Sequence, residues 1–289
     1  MSVWAVVAHY GEPAATLAAI ASLRAGSVQP DEILVVDNQG NFPGEAARAV
    51  IPGGNLGFAG AIALGASGAL RAGAKWVWFL NNDAQVAPGC LQALLAAGDA
   101  TPRAGLLTPV IEHEAGGIWY AGGTVDARRM AVGHEVVVAA QGAYDTGYAT
   151  GCAVLARGAL LRDVGPADEA LFMYFEDVEW SLRARARGWR VMVVPSARVR
   201  HSVARRRGRR VWSPTAVYLL TRNRLVLARR AGAMGPALVP AVSWGLRQCI
   251  KGLAWRDGGR IRRAFFAGLH DGIRGRGGPP PTGLDGRRP

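Results

Sequence analysis

The pattern of apolar and polar positions changes several times along the chain, and its clearest feature is Trp76-Val77-Trp78-Phe79-Leu80-Asn81-Asn82-Asp83. Five bulky apolar residues run without alternation and then give way to three short polar ones. Such a run predicts a strand buried on both faces. An Asp just past the carboxyl end of a central parallel strand points into the crevice where open α/β sheets bind ligands. Asp83 is there a candidate to hold a divalent cation. The alternative is that Asn82-Asp83 is only turn chemistry before the next helix.

Upstream, the periodicity alternates between strand and helix. Residues 3–8 predict a short buried strand, followed by His9-Tyr10-Gly11-Glu12-Pro13, a turn with Pro placed to begin a helix. Leu17, Ile20 and Leu23 recur at helical spacing, Gly26 ends that helix, and Ile33–Val36 predicts a second strand ending in Asp37-Asn38. Strand, helix and strand joined by short loops make a βαβ unit with parallel strands. A glycine-rich loop, residues 53–60, opens an alanine-rich helix over 59–71. The strand at 76–80 follows, then a helix near 89–97 and a strand near 104–110. Asp37 and Asp83 thus each follow a predicted parallel strand, with the glycine loop between them. That combination suggests a nucleotide site. The loop reads Gly54-x-x-Gly57-x-x-Gly60, which is neither GxGxxG nor GxxxxGK[ST]. A dinucleotide-binding dehydrogenase or a P-loop enzyme is therefore poorly supported, and close helix–strand packing is the alternative use of the glycines.

From 111 to 147 the pattern weakens, as in short antiparallel strands or a lid. Residues 149–156 predict another strand and 157–164 a helix. Phe172-Met173-Tyr174-Phe175-Glu176-Asp177-Val178-Glu179-Trp180 then places three acids within four positions, directly after an aromatic cluster. Glu176 and Asp177 fall in the first turn of a predicted helix, where the helix dipole favours negative charge. They are either helix-start residues or include a general base held against an apolar wall.

Charge divides the chain. Residues 1–197 carry 13 Lys and Arg against 18 Asp and Glu, whereas residues 198–289 carry 21 against 3, so the net +13 hides an acidic body and a basic tail. The tail implies an anionic surface as partner, membrane or nucleic acid. It opens with Arg205-Arg206-Arg207-Gly208-Arg209-Arg210, and helices are predicted at 215–230, 236–251 and 259–270. Residues 231–246 lack charge but are interrupted by Pro236 and Pro240, short of the roughly 18–20 residues that span a bilayer. An interfacial helix pair on an anionic leaflet, or a packed helical appendage, is expected. From Gly275 onward the Gly/Pro/Arg-rich composition predicts disorder. Cys90, Cys152 and Cys249 form no CxxC pair, so neither a zinc site nor a disulfide framework is indicated, which suits a reducing compartment. The N-terminus shows no basic region before an apolar core, so no secretory signal is expected.

In order, the chain carries Val6-Val7-x-x-Tyr10, Ile33-Leu-Val-Val-Asp37-Asn38, Asn55-Leu-Gly57-Phe-Ala59, Phe79-Leu-Asn-Asn-Asp83 and Gly151-Cys-Ala-Val-Leu-Ala-Arg157. Then come Val164-Gly165, Phe172-Met-Tyr-Phe-Glu-Asp177, Arg183 with Gly188, and His201, with Arg222-Asn223-Arg224 further on. This ordered set resembles glycosyltransferase family 2 enzymes of the GT-A fold, in the rhamnosyltransferase-like branch, over roughly residues 3–230. The resemblance implies a Rossmann-like, mostly parallel sheet flanked by helices over residues 1–210, while charge and composition add a basic helical region at 211–275, expected to meet a membrane or pack as an appendage, and a disordered tail at 276–289. It implies an inverting, nucleotide-sugar-dependent hexosyltransferase of cell-wall or polysaccharide biosynthesis, with a dTDP- or UDP-linked donor, rhamnose-like sugars favoured, and a glycan or lipid-linked acceptor. Asp37 would contact the nucleobase, Asn55 and Gly57 the ribose and diphosphate, and Tyr10 and Asn82 would complete the donor site. Asp83 would coordinate Mg²⁺ or Mn²⁺ with His201. Asp177 would be the catalytic base, with Glu176 beside it positioning the acceptor and Glu179 on the solvent side. Two departures stand out: Asn81 replaces the first acid of the family's DxD, and Ala63 stands where relatives often carry Asn. The implied location is cytoplasmic, peripheral at the inner face of the membrane.

The chemistry is coherent. A divalent cation stabilises a departing diphosphate as a Lewis acid, and Mg²⁺ is often held by only one or two carboxylates plus phosphates. A sugar hydroxyl becomes a good nucleophile when a carboxylate takes its proton. Two other classes fit parts of the pattern. A sugar nucleotidyltransferase uses a similar sheet, but its basic N-terminal loop is missing at residues 9–12. A nucleic-acid-binding protein would use the tail, but no helix-turn-helix or RNP pattern appears, so no nucleic acid is expected.

Overall fold

The computed structural model describes residues 2–202, 212–253 and 258–284. The chain begins with β1 (Val3–His9), α1 (Pro13–Arg24), β2 (Glu32–Asp37), β3 (Arg48–Val50), α2 (Gly57–Arg71), β4 (Trp76–Asn81), β5 (Ala84–Val86) and α3 (Cys90–Ala100). It continues with β6 (Ala104–His113), β7 (Ile118–Tyr120), β8 (Gly123–Asp126), β9 (Ala131–His134), β10 (Tyr144–Asp145), β11 (Ala153–Arg157), α4 (Gly158–Val164), α5 (Glu176–Ala186) and β12 (Arg190–His201). Three helices close it: α6 (Pro214–Arg230), α7 (Met234–Leu253) and α8 (Gly258–Ile273). The chain falls into two compact units. The first takes in Met1–Thr124, Gly133–Asp168 and Asp177–Val203; the second takes in Val125–Val132, Glu169–Glu176 and the C-terminal helices.

The first unit is built on one sheet, ordered β10-β12-β6-β11-β4-β1-β2-β3, with β5 added to β12 and β7 to β6. Strands β3, β2, β1 and β4 are parallel neighbours, as the βαβ reading of the sequence requires. β11 enters antiparallel between β4 and β6, and β12 runs parallel to β6. β8 and β9 form a separate hairpin within the 111–147 stretch.

The apolar run of β4 is the middle of the core, with Trp76, Val77, Trp78, Phe79 and Leu80 all buried. Burying each large side chain of this kind stabilises the fold by about 1.5–3 kcal/mol relative to exposure. On one face Val6, Leu34, Phe79 and Val154 pack with Ile62 of α2, Leu160 of α4 and Trp180 of α5. On the other, α3 comes so close that a Cβ on its Gly98 would stand 2.6 Å from Trp76. α2 is equally close to β1: a Cβ on Gly65 would lie 2.3 Å from Cγ1 of Val6. Part of this loop–helix segment's glycine content is therefore a packing requirement.

In the second unit α6, α7 and α8 pack together. α7 runs unbroken from Met234 to Leu253 with Pro240 inside it, two residues longer at each end than the helix expected over 236–251. Pro236 falls in its first turn, where a missing N–H costs nothing. Residues 276–284, expected to be disordered, are held in place: the Gly278 N–H donates to Ala170 at 2.6 Å, and Arg222 Nη1 donates to the Gly278 carbonyl at 2.5 Å. Residues 285–289 and the arginine run at 205–210 lie outside the described residues.

Candidate active site

The strand register brings the polar residues of the sequence motifs to one edge. Ala8 pairs with Asn81 across β1–β4, and His9 pairs with Asp37 across β1–β2. Asp37 is almost wholly buried, and its carboxylate accepts from the backbone N–H groups of Gln39, Gly40 and Phe42 at 2.8–3.0 Å. Burial alone would raise its pKa, but these three N–H donors and the nearby His9 hold it below the usual carboxylate range. Asp37 therefore organises its own loop as well as standing at the strand end. Asn38 ties that loop to the glycine-rich one. Its Oδ1 accepts from Leu56 N–H, and its Nδ2 donates to the Gly57 carbonyl. Asn55 Oδ1 accepts from Gly57 N–H, and Gly57 itself has φ +70°, a conformation that favours glycine. Asn82 is turned back onto the β1–α1 loop, donating to the Tyr10 carbonyl at 3.1 Å and to Thr16 Oγ1 at 3.3 Å. The Tyr10 side chain is exposed, whereas Ala63 is buried in α2.

Asp83 follows β4, and His201 ends β12. The two meet because β5 pairs with β12, setting Ala84 opposite His201, and because Ser202 N–H donates to the Asp83 carbonyl at 3.1 Å. His201 Nε2 stands 3.0 Å from Asp83 Oδ1. The buried His201 Nδ1 has no hydrogen-bond partner among the described residues. Two ligands on adjacent corners of an octahedron of about 2.1 Å bonds are separated by about 3.0 Å, so this pair fits one edge of a Mg²⁺ or Mn²⁺ shell. No group of three or more such ligands occurs among the described residues, so a cation held here would need further ligands from a bound diphosphate or water.

Asp177 approaches from α5. Its Oδ2 accepts from Gly151 N–H at 3.0 Å and its Oδ1 from Val178 N–H at 2.8 Å. Burial pushes the carboxyl above the usual range, against the pull of those two donors. Cys152, next to Gly151, connects the two acids: its carbonyl accepts from Asn81 N–H at 2.9 Å. Its thiol is held up first by burial and then by the charges of both Asp83 and Asp177. Buried Tyr148 also feels Asp177, after the larger effect of its own burial. Asp83, His201 and Asp177 are thus gathered around the junction of β4 and β11.

α5 is fixed by its other side chains. Trp180 Nε1 donates to the Gly165 carbonyl, and its ring meets Phe79 edge-on at 5.7 Å. Arg183 donates to the carbonyls of Val164 and Pro166 and pairs with Glu179 at 2.8 Å. Glu179, expected on the solvent side, is instead half-buried as the partner of Arg183. The i,i+4 spacing brings the pair together along one helix face.

Glu176 is buried and belongs to the second unit, whose boundary falls directly before Asp177. The turn leading to it is strained: Phe172, Tyr174 and Phe175 have φ of 63°, 69° and 68°. Non-glycine residues adopt such angles only where surroundings over-determine them. The Asn223 amide does this, donating to the carbonyls of Leu171, Met173 and Tyr174 at 2.7–2.9 Å. Arg222 adds a donor to Leu171, and the Arg224 guanidinium lies 5.7 Å from the Phe175 ring centre.

Sequence reasoning missed two groups. His9 is fully buried, with Thr16 on Nδ1 and Asn41 on Nε2, and so holds the loops of β1 and β2 together. Trp119, on β7, meets His201 at 5.0 Å and His134 at 4.6 Å between ring centres. The Pro-containing turn after His9 was a signal for the first; the weak periodicity of 111–147 carried none for the second.

The mixed sheet flanked by helices is that of the GT-A class of glycosyltransferases, and the comparisons agree. Residues 5–224 match the family described as "Glycosyltransferase like family 2", and the chain belongs to it. It is 31% identical over 223 residues to an N-acetylglucosaminyl-diphospho-decaprenol L-rhamnosyltransferase of Mycobacterium tuberculosis, covering 66% of this chain and 72% of that one. Among solved structures, GalNAc-T7 with UDP, GalNAc and Mn²⁺ superposes with a TM-score of 0.62 at 17% identity, over 79% of this chain and 47% of the other. S. aureus TarS 1–349 gives 0.57 at 16% identity, over 96% and 81%. The mannosyltransferase PcManGT from Pyrobaculum calidifontis, with GDP-Man and Mn²⁺, gives 0.56 at 13%, over 94% and 86%. The protein is a glycosyltransferase, which sets aside the nucleotidyltransferase alternative.

Proposed function

We propose that this enzyme transfers a rhamnose-like sugar from a dTDP- or UDP-linked donor to a hydroxyl of a lipid-linked glycan, with inversion at the anomeric carbon. The observation that supports the reading is that Asp177 binds Gly151 N–H while Asn81, two residues before Asp83, binds the adjoining Cys152 carbonyl, which sets a candidate base near the Asp83–His201 pair. Asp83 and His201 would hold Mg²⁺ or Mn²⁺, which stabilises the departing diphosphate as a Lewis acid. Asn55, Gly57, Tyr10, Asn82 and Asp37 line the donor side, with Asp37 and Asn82 also fixing the loops that meet the nucleotide. Asp177 takes the proton of the acceptor hydroxyl as that oxygen attacks opposite the leaving group. Its burial raises its pKa, which makes the ionised carboxylate a stronger base than an ordinary one. Glu176, its neighbour in the chain, positions the acceptor.

The acceptor class follows from the rhamnosyltransferase relative, whose name places its sugar on a diphospho-decaprenol-linked N-acetylglucosamine. Among the described residues no helix is long and apolar enough to cross a membrane. In this reading the enzyme meets its lipid-linked acceptor as a peripheral protein at the cytoplasmic face, as the acceptor of the relative suggests. The test is release of nucleoside diphosphate from a panel of dTDP- and UDP-sugars with Mg²⁺, Mn²⁺ or chelator. Release by the wild type, lost in Asp83→Ala and Asp177→Asn, supports the reading. Release that neither substitution alters, or that ignores chelator, refutes it.

A further inference from the structure

α7 turns its small residues inward and its large ones outward. Ala237, Ala241, Gly245 and Gly252 are buried. Gly245 lies so near α8 that a Cβ there would stand 2.0 Å from the Phe265 ring. Val239, Leu246, Ile250 and Leu253 face solvent instead, at 73%, 47%, 67% and 66% exposure. Steps of seven, four and three residues set these four within about 60° of one another around the helix. A water-facing helix surface normally carries polar residues, so this apolar stripe lacks its covering. α8 adds Phe266, 58% exposed.

The rim of this face is basic. Arg247 and Lys251 are exposed on α7, and Arg262 and Arg263 are exposed beside Phe266 on α8. Arg262 lies close enough to Cys249 of α7 for its charge to act on that thiol, so the basic side of α8 borders α7. The one carboxylate in the described parts of these two helices, Asp271, is already bonded to Tyr218, His270 and Arg276. A second copy of the chain docking through the same face would oppose like charges. An anionic surface with an apolar interior meets both the rim and the stripe. The stripe is confined to one side, and the helix is not apolar enough to cross a bilayer. That combination is the signature of a helix lying in the interfacial plane.

We propose that α7 and α8 seat on an anionic lipid surface through the Val239–Leu253 stripe and Phe266, with Arg247, Lys251, Arg262 and Arg263 at the headgroups. This deepens the lipid-linked-acceptor reading and rests on it for its purpose, but its test reads vesicle binding and needs no turnover. The full chain is floated with phosphatidylcholine vesicles and with vesicles that also contain phosphatidylglycerol. Wild type should bind the anionic vesicles about tenfold or more tightly than the neutral ones, and less as salt rises. The double variant Leu246→Asp/Ile250→Asp, both at exposed positions and checked for an unchanged melting temperature, should lose about tenfold or more on anionic vesicles. Arg262→Gln/Arg263→Gln should lose mainly the preference for anionic lipid. Unchanged flotation of the Leu246/Ile250 variant overturns the proposal. So does a concentration-dependent dimer in sedimentation that this variant abolishes without any vesicle binding, which would put a second copy on the face. Donor turnover is measured on the same preparations. Turnover without flotation removes the lipid surface and leaves the transfer reading, whereas flotation without turnover does the reverse.

Discussion

His201 Nε2 lies 3.0 Å from Asp83 Oδ1 although the two residues are 118 positions apart in the chain. The contact is made by backbone pairing: β5 continues from Asp83 and adds to β12 at its last residue. A single strand-end carboxylate, left alone by the replacement of the first DxD acid with Asn81, thereby gains a nitrogen partner.

If this pair holds the cation, Asp83→Ala and His201→Ala should each weaken metal-dependent nucleotide binding while the melting temperature changes little. Calorimetric titration of UDP and dTDP with Mn²⁺ and with chelator checks this. Nucleotide affinity in either variant that still responds to metal as wild type does would remove that residue from the site.

Asp177→Asn should lower turnover by about 10²–10⁴ with donor affinity nearly unchanged. It should also stabilise the protein at neutral pH. Burial raises the Asp177 pKa in the folded state, so the folded protein holds that proton more tightly than the unfolded chain, whose Asp titrates near about 3.9. Wild-type stability therefore falls as pH rises from the unfolded value through the folded one. Asn carries no such proton, so the variant's advantage should be absent at low pH and full above the folded pKa. Melting curves of both proteins across that range decide it; parallel curves would show that Asp177 titrates normally.

Asn223→Ala should cost about 2–4 kcal/mol, because it strips donors from three carbonyls of a strained turn at once. Urea unfolding measures this. Asn223→Asp keeps the shape without the donors and should fall at least as far; a loss under about 0.5 kcal/mol in both would mean that the turn holds itself.

Gly65→Ala inverts the usual expectation for a helix. At an ordinary helical position this change stabilises by about 1 kcal/mol. Here the new methyl would stand 2.3 Å from Val6 Cγ1, and overpacking of a close helix–strand contact costs about 1–3 kcal/mol. Denaturant midpoints of the two proteins give the sign.

The sequence by itself determined the parallel half of the sheet, because continuous apolar runs ending in Asp37-Asn38 and Asn81-Asn82-Asp83 have few other stable arrangements in water. The buried run before it also singled out Asp83, whereas Asp177 stood out only as one of three acids at a predicted helix start, and the role given to His201 came from the family resemblance. It did not show that Gly278, in a stretch expected to be disordered, is held by Ala170 and Arg222. Nor did it show that the carboxylate of Asp37 is taken up by its own loop, that Glu179 serves Arg183, or that Asn223 clamps the turn before Glu176. Those are contacts between side chains and backbone groups brought together only on folding, and neither periodicity nor composition records them. The same holds for the outward stripe on α7. Its spacing is the spacing of a core face, and only the close approach of Gly245 to Phe265 decided that the small residues point inward and the large ones to solvent.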